Sequence, residues 1–158
     1  MNATARSPRS AAPWQEILAP HGLGYRIRLL SQLMGRRFQE LLEPHGLTPF
    51  HWVVLCCLWE QDGLATCAIS DRLRQVGGTM TGALDRMEER GLIRRERDCH
   101  DRRVWRIWLT DLGWQLWEIL PPIAMQLREE TLQGFSDQDR QLMSRLVDQA
   151  IANLIPPP

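Results

Sequence analysis

The chain has no lysine: all nineteen of its basic residues, in 158, are arginine. The planar fork of arginine suits paired contacts to phosphate and guanine, whereas a lysine ammonium acts as a point charge. The net charge is zero, so the totals alone say nothing for a polyanionic partner. Distribution says more. Between Asp71 and Arg106 there are ten arginines against seven carboxylates, and from Ile107 onward three against seven. A basic middle followed by an acidic stretch fits a chain that presents one region to a polyanion.

Cysteine is sparse, with Cys56, Cys57, Cys67 and Cys99 and no CxxC pair, so neither a disulfide framework nor a zinc site is supported. The adjacent pair sits in an apolar run and reads as two small hydrophobes. No stretch approaches about eighteen apolar residues, and MNATARSPRSAAPW has no apolar signal-peptide core, so a cytoplasmic protein is expected. The four histidines are scattered. No Ser-His-Asp order, phosphate loop or metal-ligand spacing appears, so no enzyme, cofactor or metal is expected.

Helical periodicity organises most of what is there. Residues 1–13 are rich in Ala, Ser, Arg and Pro and read as a flexible tail. Apolar residues recur at Ile27, Leu30, Met34, Phe38 and Leu41, a helical spacing that Pro44 and Gly46 stop. Thr48-Pro49 opens a second helix as N-cap and first-turn proline, and the apolar run from His51 to Trp59 makes it central. Thr66 is expected to cap a short helix through Leu73. After a tight turn over residues 75–79, Gly78 or Thr79 opens another helix with Met80, Leu84 and Met87 facing inward. Gly91 closes it in the left-handed C′ position.

Residues 93–97 and 104–109 read as two short strands joined by a polar loop. On the second, Val104, Arg106 and Trp108 share one face, and Trp105, Ile107 and Leu109 the other. Thr110-Asp111 starts a long helix that Pro121-Pro122 should kink. Ser136 with Asp139 resembles a capping box opening a last helix. Leu142, Leu146, Ala150, Ile151 and Leu154 share one face of it. The fold class is therefore mainly α: four helices, a hairpin and two more helices, with a winged helix-turn-helix over 47–109 flanked by long helices in 14–46 and 110–155.

An exposed second helix of that unit fits the major groove of DNA, and a hairpin tip reaches phosphates or the minor groove, where negative potential favours arginine. Thr79 and Thr81 can bond phosphates or bases, and Arg86 suits phosphate. The same residues serve equally well as helix-capping threonines and a solvated arginine.

From Leu47 to Gly113 the chain resembles the MarR-type (multiple-antibiotic-resistance regulator) winged-helix transcription factors. The likeness rests on Leu47-Thr48, Gly78-Thr79-Met80-Thr81, Leu84-Asp85-Arg86-Met87-Glu88 and Gly91-Leu92-Ile93, and most of all on Asp101-Arg102-Arg103 followed by Leu109-Thr110 and Gly113. It implies that Arg103 enters the minor groove, that Asp101 holds its guanidinium through a bidentate pair, and that Arg102 lies near phosphate. Gly78, Thr79, Thr81 and Arg86 would meet DNA at the recognition helix. It also implies a homodimer built from the end helices (14–46 and 110–155), with Leu146, Ala150, Ile151 and Leu154 at the interface, reading a pseudo-palindrome on double-stranded DNA. Gly82 departs from the family, many members of which carry Arg or Asn there.

Relatives often answer to a small aromatic acid in a cleft between the dimer helices and the DNA-binding lobe. Arg28, His51, Trp52 and Trp14 could line such a pocket here. Trp105, Trp108, Trp114 and Trp117 read as core around the wing base. A redox sensor in the family's usual form lacks its early cysteine, leaving Cys67 and Cys99 as candidates. The expectation is a dimeric, ligand-responsive repressor. The alternative is a winged-helix module for protein–protein contact, which Gly82 and Glu88-Glu89 keep open.

Overall fold

The structure, a computed structural model, describes residues 19–74 and 77–155, with the side chains of 77–79 outside the description. The expected tail over 1–13, Trp14, and the side chains of Gly78 and Thr79 therefore lie outside the described residues. The elements run α1 (Leu23–Leu42), α2 (Pro49–Glu60), β1 (Leu64–Ala65), α3 (Thr66–Leu73), α4 (Gly77–Glu89), β2 (Ile93–Arg97), β3 (Trp105–Leu109), α5 (Asp111–Thr131) and α6 (Asp137–Leu154). Among the described residues no helix is long and apolar enough to cross a membrane.

The helix ends follow local chemistry. Past α1, a 3-10 turn over Glu43–His45 ends on Gly46 at φ +65, and the Leu47 N–H donates back to the Leu42 carbonyl. Gly91 repeats that device after α4, at φ +68, with the Leu92 N–H on the Met87 carbonyl. In both, a left-handed residue lets the chain turn back and satisfy carbonyls that a helix end leaves open. Thr48, Thr110 and Ser136 cap α2, α5 and α6 through their hydroxyls, as expected.

Two expectations need correction. Thr66 does not cap α3: Ala65 is the N-cap, and the Thr66 hydroxyl donates to the Trp105 carbonyl at 3.4 Å. The ribbon has three strands rather than two, in the order β1-β3-β2, all antiparallel, with Leu64 opposite Ile107 and Ile93 opposite Leu109. A two-residue strand is too short to leave a period-2 signal. At the expected proline kink, α5 continues as one assigned helix through Pro121 and Pro122. Packing of Leu116 and Leu120 on one side of the prolines, and of Ile123, Ala124 and Leu127 on the other, holds both halves to the same core.

That core gathers Leu42, Leu47, Val54, Leu55, Leu58, Ile69, Met80, Leu84, Met87, Ile93, Ile107 and Leu120, each 2% exposed or less. α2 is its axis, as its nearly unbroken apolar sequence requires. The end helices behave differently. The α1 stripe is buried only towards its C-terminus, at Phe38 and Leu42, while Ile27 and Leu30 are exposed. α6 buries no residue at all, and its Leu146 and Ile151 are about half exposed, at 55% and 52%. Leu142, Leu146, Ile151 and Leu154 leave an apolar face of this eighteen-residue helix open to solvent.

Candidate nucleic-acid interface

α4 is seated by Met80, Ala83, Leu84 and Met87, all buried, which turns Thr81, Asp85, Arg86, Glu88 and Glu89 outward. Exposed carboxylates would repel a phosphate backbone, but two of them are engaged. Arg95 of β2 pairs with Asp85 at 2.5 Å and approaches Glu88 at 3.4 Å, while its backbone N–H donates to Glu88 at 3.1 Å. The same arginine ties α4 to the sheet. Gly82 leaves an opening beside Arg86: a Cβ there would meet only the Arg86 Nη1, at 3.8 Å.

The loop between β2 and β3 is organised by Asp98, which is buried although it lies beside exposed neighbours. Its Oδ1 accepts the backbone N–H groups of His100 and Asp101, at 2.8 and 3.0 Å, and its Oδ2 accepts from Arg106 Nε. The Asp101 amide, the Arg106 guanidinium and the His100 amide hold its carboxyl well below the usual carboxylate range. Arg97 lies opposite Trp105 in the ladder, its guanidinium 3.9 Å from the indole centroid, and donates to the Arg102 carbonyl at 2.6 Å. These contacts leave Arg102 and Arg103 exposed on a braced loop.

The Asp101–Arg103 arrangement differs from the one expected. The Asp101 carboxylate accepts the backbone N–H of Arg103, at 2.9 Å, and no ion pair joins it to the Arg103 guanidinium among the described residues. The short spacing favours this outcome, because an aspartate readily accepts the N–H two residues on. The pairing role belongs to Asp98 and Arg106. Both were legible in part: an aspartate opening a polar loop is a turn signal, and Arg106 stands on the strand face opposite Ile107 and Leu109. Nothing in the sequence alone joined the two.

The expected pocket residues sit on two neighbouring helices, α1 and α2. Arg28 is exposed on α1, His51 is buried at the start of α2, and Trp52 is half-buried between the rings of Phe38 and Trp59, at 5.8 and 5.7 Å. His51 completes the cap of α2: it donates its N–H to Thr48, and its Nδ1 accepts the Thr48 N–H at 3.3 Å. Its Nε2 has no partner. Burial, then the charges of Arg86 and Arg90, lower its pKa below the ordinary 6.5. A separate cleft between α1, α5 and α6 is lined by residues such as Met34, Leu127 and Met143. Nor do the tryptophans fill core at the wing base: Trp105, Trp114 and Trp117 are 40%, 43% and 53% exposed, and only Trp108 is partly buried. Cys67 and Cys99 are both exposed.

A helix pair flanked by the strands of one three-stranded sheet, with a braced arginine loop between β2 and β3, defines a winged-helix protein. Residues 47–105 match the model of the MarR family. The transcriptional regulator HosA of Escherichia coli is 31% identical over 123 residues, 78% of this chain and 90% of that protein. A shorter match, 40% identical over 91 residues, covers 58% of this chain and 47% of the regulator TtmR of Methylorubrum extorquens. The fold superposes on MepR of S. aureus, solved in complex with DNA, with a TM-score of 0.77, 26% identity, and coverage of 84% and 98% of the two chains. BpsR of Bordetella bronchiseptica, whose DNA binding is regulated by 6-hydroxynicotinic acid, gives 0.78, 26%, 84% and 95%. The chain belongs to the MarR family and is a transcriptional regulator, not an enzyme.

Proposed function

We propose that the chain binds double-stranded DNA as a homodimer and represses transcription until an effector releases it. In this reading 47–109 is the DNA-binding lobe, and 14–46 with 110–155 form the dimerisation region. α4 enters the major groove with Gly78, Thr79, Thr81 and Arg86 towards the duplex. Arg103 enters the minor groove, Arg102 lies near phosphate, and Asp101 shapes the loop that carries them. The single observation behind it is the braced wing, which holds two exposed arginines in a lobe where Arg95 engages both Asp85 and Glu88 of α4 and offsets part of their charge. The exposed apolar faces of α1 and α6, including Leu146, Ala150, Ile151 and Leu154, support the dimer.

A small aromatic effector is the class of signal this reading assigns, with Arg28 of α1 and His51 and Trp52 of α2 as its candidate contacts. The regulation of BpsR by an aromatic acid supports the class. Binding of the full chain to duplex DNA from upstream of its own gene, titrated against salt, tests the central reading. Affinity should fall steeply as salt rises, because phosphate contacts release counterions. Arg103→Ala should weaken binding across sequences and reduce the salt slope by about one. A flat salt dependence would remove DNA from the account.

A further inference from the structure

A continuous chain of hydrogen bonds runs from the turn after α2 to the tip of the wing. The Gly63 carbonyl accepts from Arg106 Nη1 at 2.9 Å. The same guanidinium donates through Nε to Asp98 Oδ2. Asp98 Oδ1 accepts the Asp101 N–H at 3.0 Å, and Asp101 Oδ1 accepts the Arg103 N–H at 2.9 Å. The turn is itself fixed to the sheet, since Asp62 Oδ1 accepts the N–H groups of Leu109 and Gly63 at 2.9 and 3.0 Å.

We infer that Arg106 and Asp98 are positioning residues for DNA binding, setting the place of Arg103 by anchoring the wing loop to the turn after α2. The argument is geometric. A seven-residue loop between two five-residue strands has little apolar contact of its own, and its exposed arginines repel one another. Left to local preferences it would sample many shapes, and each bound complex would then carry the entropy of ordering it. Asp98 removes that freedom by collecting two loop amides and one guanidinium at a buried carboxylate. Arg106 then references the whole loop to the body of the lobe rather than to the hairpin alone. Because the guanidinium bridges two acceptors in a fixed fork, neither lysine nor an apolar residue reproduces it.

The inference rests on the proposal that Arg103 meets DNA, and the test separates the two. In the full chain, Arg103→Ala, Arg106→Met and the Arg103→Ala/Arg106→Met pair are compared for affinity to the duplex that the wild type protects upstream of its gene. Arg106→Met keeps the aliphatic stem and removes the donors. Each single change should weaken binding about tenfold, and the double change should be no weaker than Arg103→Ala, because residues acting through one contact are not additive. A merely structural role would instead add its full loss in the Arg103→Ala background, and that result would overturn the inference. So would an unchanged affinity for Arg106→Met beside a weakened Arg103→Ala. If Arg103→Ala itself has no effect, the minor-groove reading falls and takes this inference with it. Should Arg106→Met fold poorly, Asp98→Asn carries the same test: it keeps the Oδ1 acceptor for the loop amides and loses only the Arg106 link. Amide exchange in Arg106→Met should quicken at Asp101 and Arg103 and stay unchanged in α4; unchanged exchange at the loop would also count against it.

Discussion

The six-membered ring of Trp108 lies against the Cα of Gly63, so close that a Cβ at position 63 would fall 2.5 Å from the indole Cη2. Gly63 also has φ +71, a conformation that residues with a side chain rarely adopt. The glycine thus lets the turn after α2 pass beneath the sheet, where its carbonyl meets Arg106. Gly63→Ala combines strain with overpacking and should destabilise the fold by roughly 2–4 kcal/mol. Urea unfolding checks this, and a midpoint within error of wild type would show that the indole moves aside freely.

His51 should make stability sensitive to mild acid. Its folded pKa is lowered, first by burial and then by Arg86 and Arg90, while the unfolded chain keeps the ordinary 6.5. The unfolded state therefore takes up the proton first. The stabilising contribution is complete above 6.5 and is lost as pH falls towards the folded value. His51→Gln keeps an acceptor for the Thr48 N–H and cannot titrate, so its melting temperature should fall less than wild type between about pH 7.5 and 5.5. Parallel curves for the two proteins would argue against a role for this ring.

Arg37 and Glu130 fork together across α1 and α5, at 2.7 and 2.9 Å. Hydrogen bonds from Arg37, then from Gln126, bring the Glu130 carboxyl down from 4.5 to about 2. Its contribution is present above 4.5 and is lost as pH falls towards 2. Glu130→Gln should flatten stability over that window. Both side chains are about two-fifths exposed, so at about 1 M salt the difference between the two proteins should shrink. A difference that survives high salt would mean that the fork acts through packing instead.

The uncovered face of α6 predicts an assembly. Leu146→Glu with Ile151→Glu places two charges on its apolar face without replacing a buried residue, since α6 buries none. Sedimentation should show a shift towards single copies at micromolar concentration, with helix content largely kept and duplex affinity reduced. An unchanged sedimentation coefficient would place the interface elsewhere.

Much of the fold was legible because its signals are local. The Thr48, Thr110 and Ser136 caps, the Gly46 and Gly91 stops and the inward face of Met80, Leu84 and Met87 each depend on residues within a turn or two. The recognition motif was legible for the same reason: Asp101-Arg102-Arg103 sits in one short loop. What escaped depends on partners far along the chain. β1 is two residues long and exists only because Leu64 meets Ile107. The Pro121-Pro122 pair stays within one helix because contacts on both sides of it outweigh two missing backbone bonds. Asp98 could be seen as a turn residue, but not as the ligand of Arg106.

The sequence by itself determined the helices, their ends, the wing and the arginines at its tip, since spacing and capping chemistry act over a few residues and need no distant partner. The tertiary structure alone decided which carboxylate holds which guanidinium, which tryptophans stay exposed and which apolar faces remain uncovered. Those outcomes turn on distances between segments dozens of residues apart, and no local preference encodes a distance.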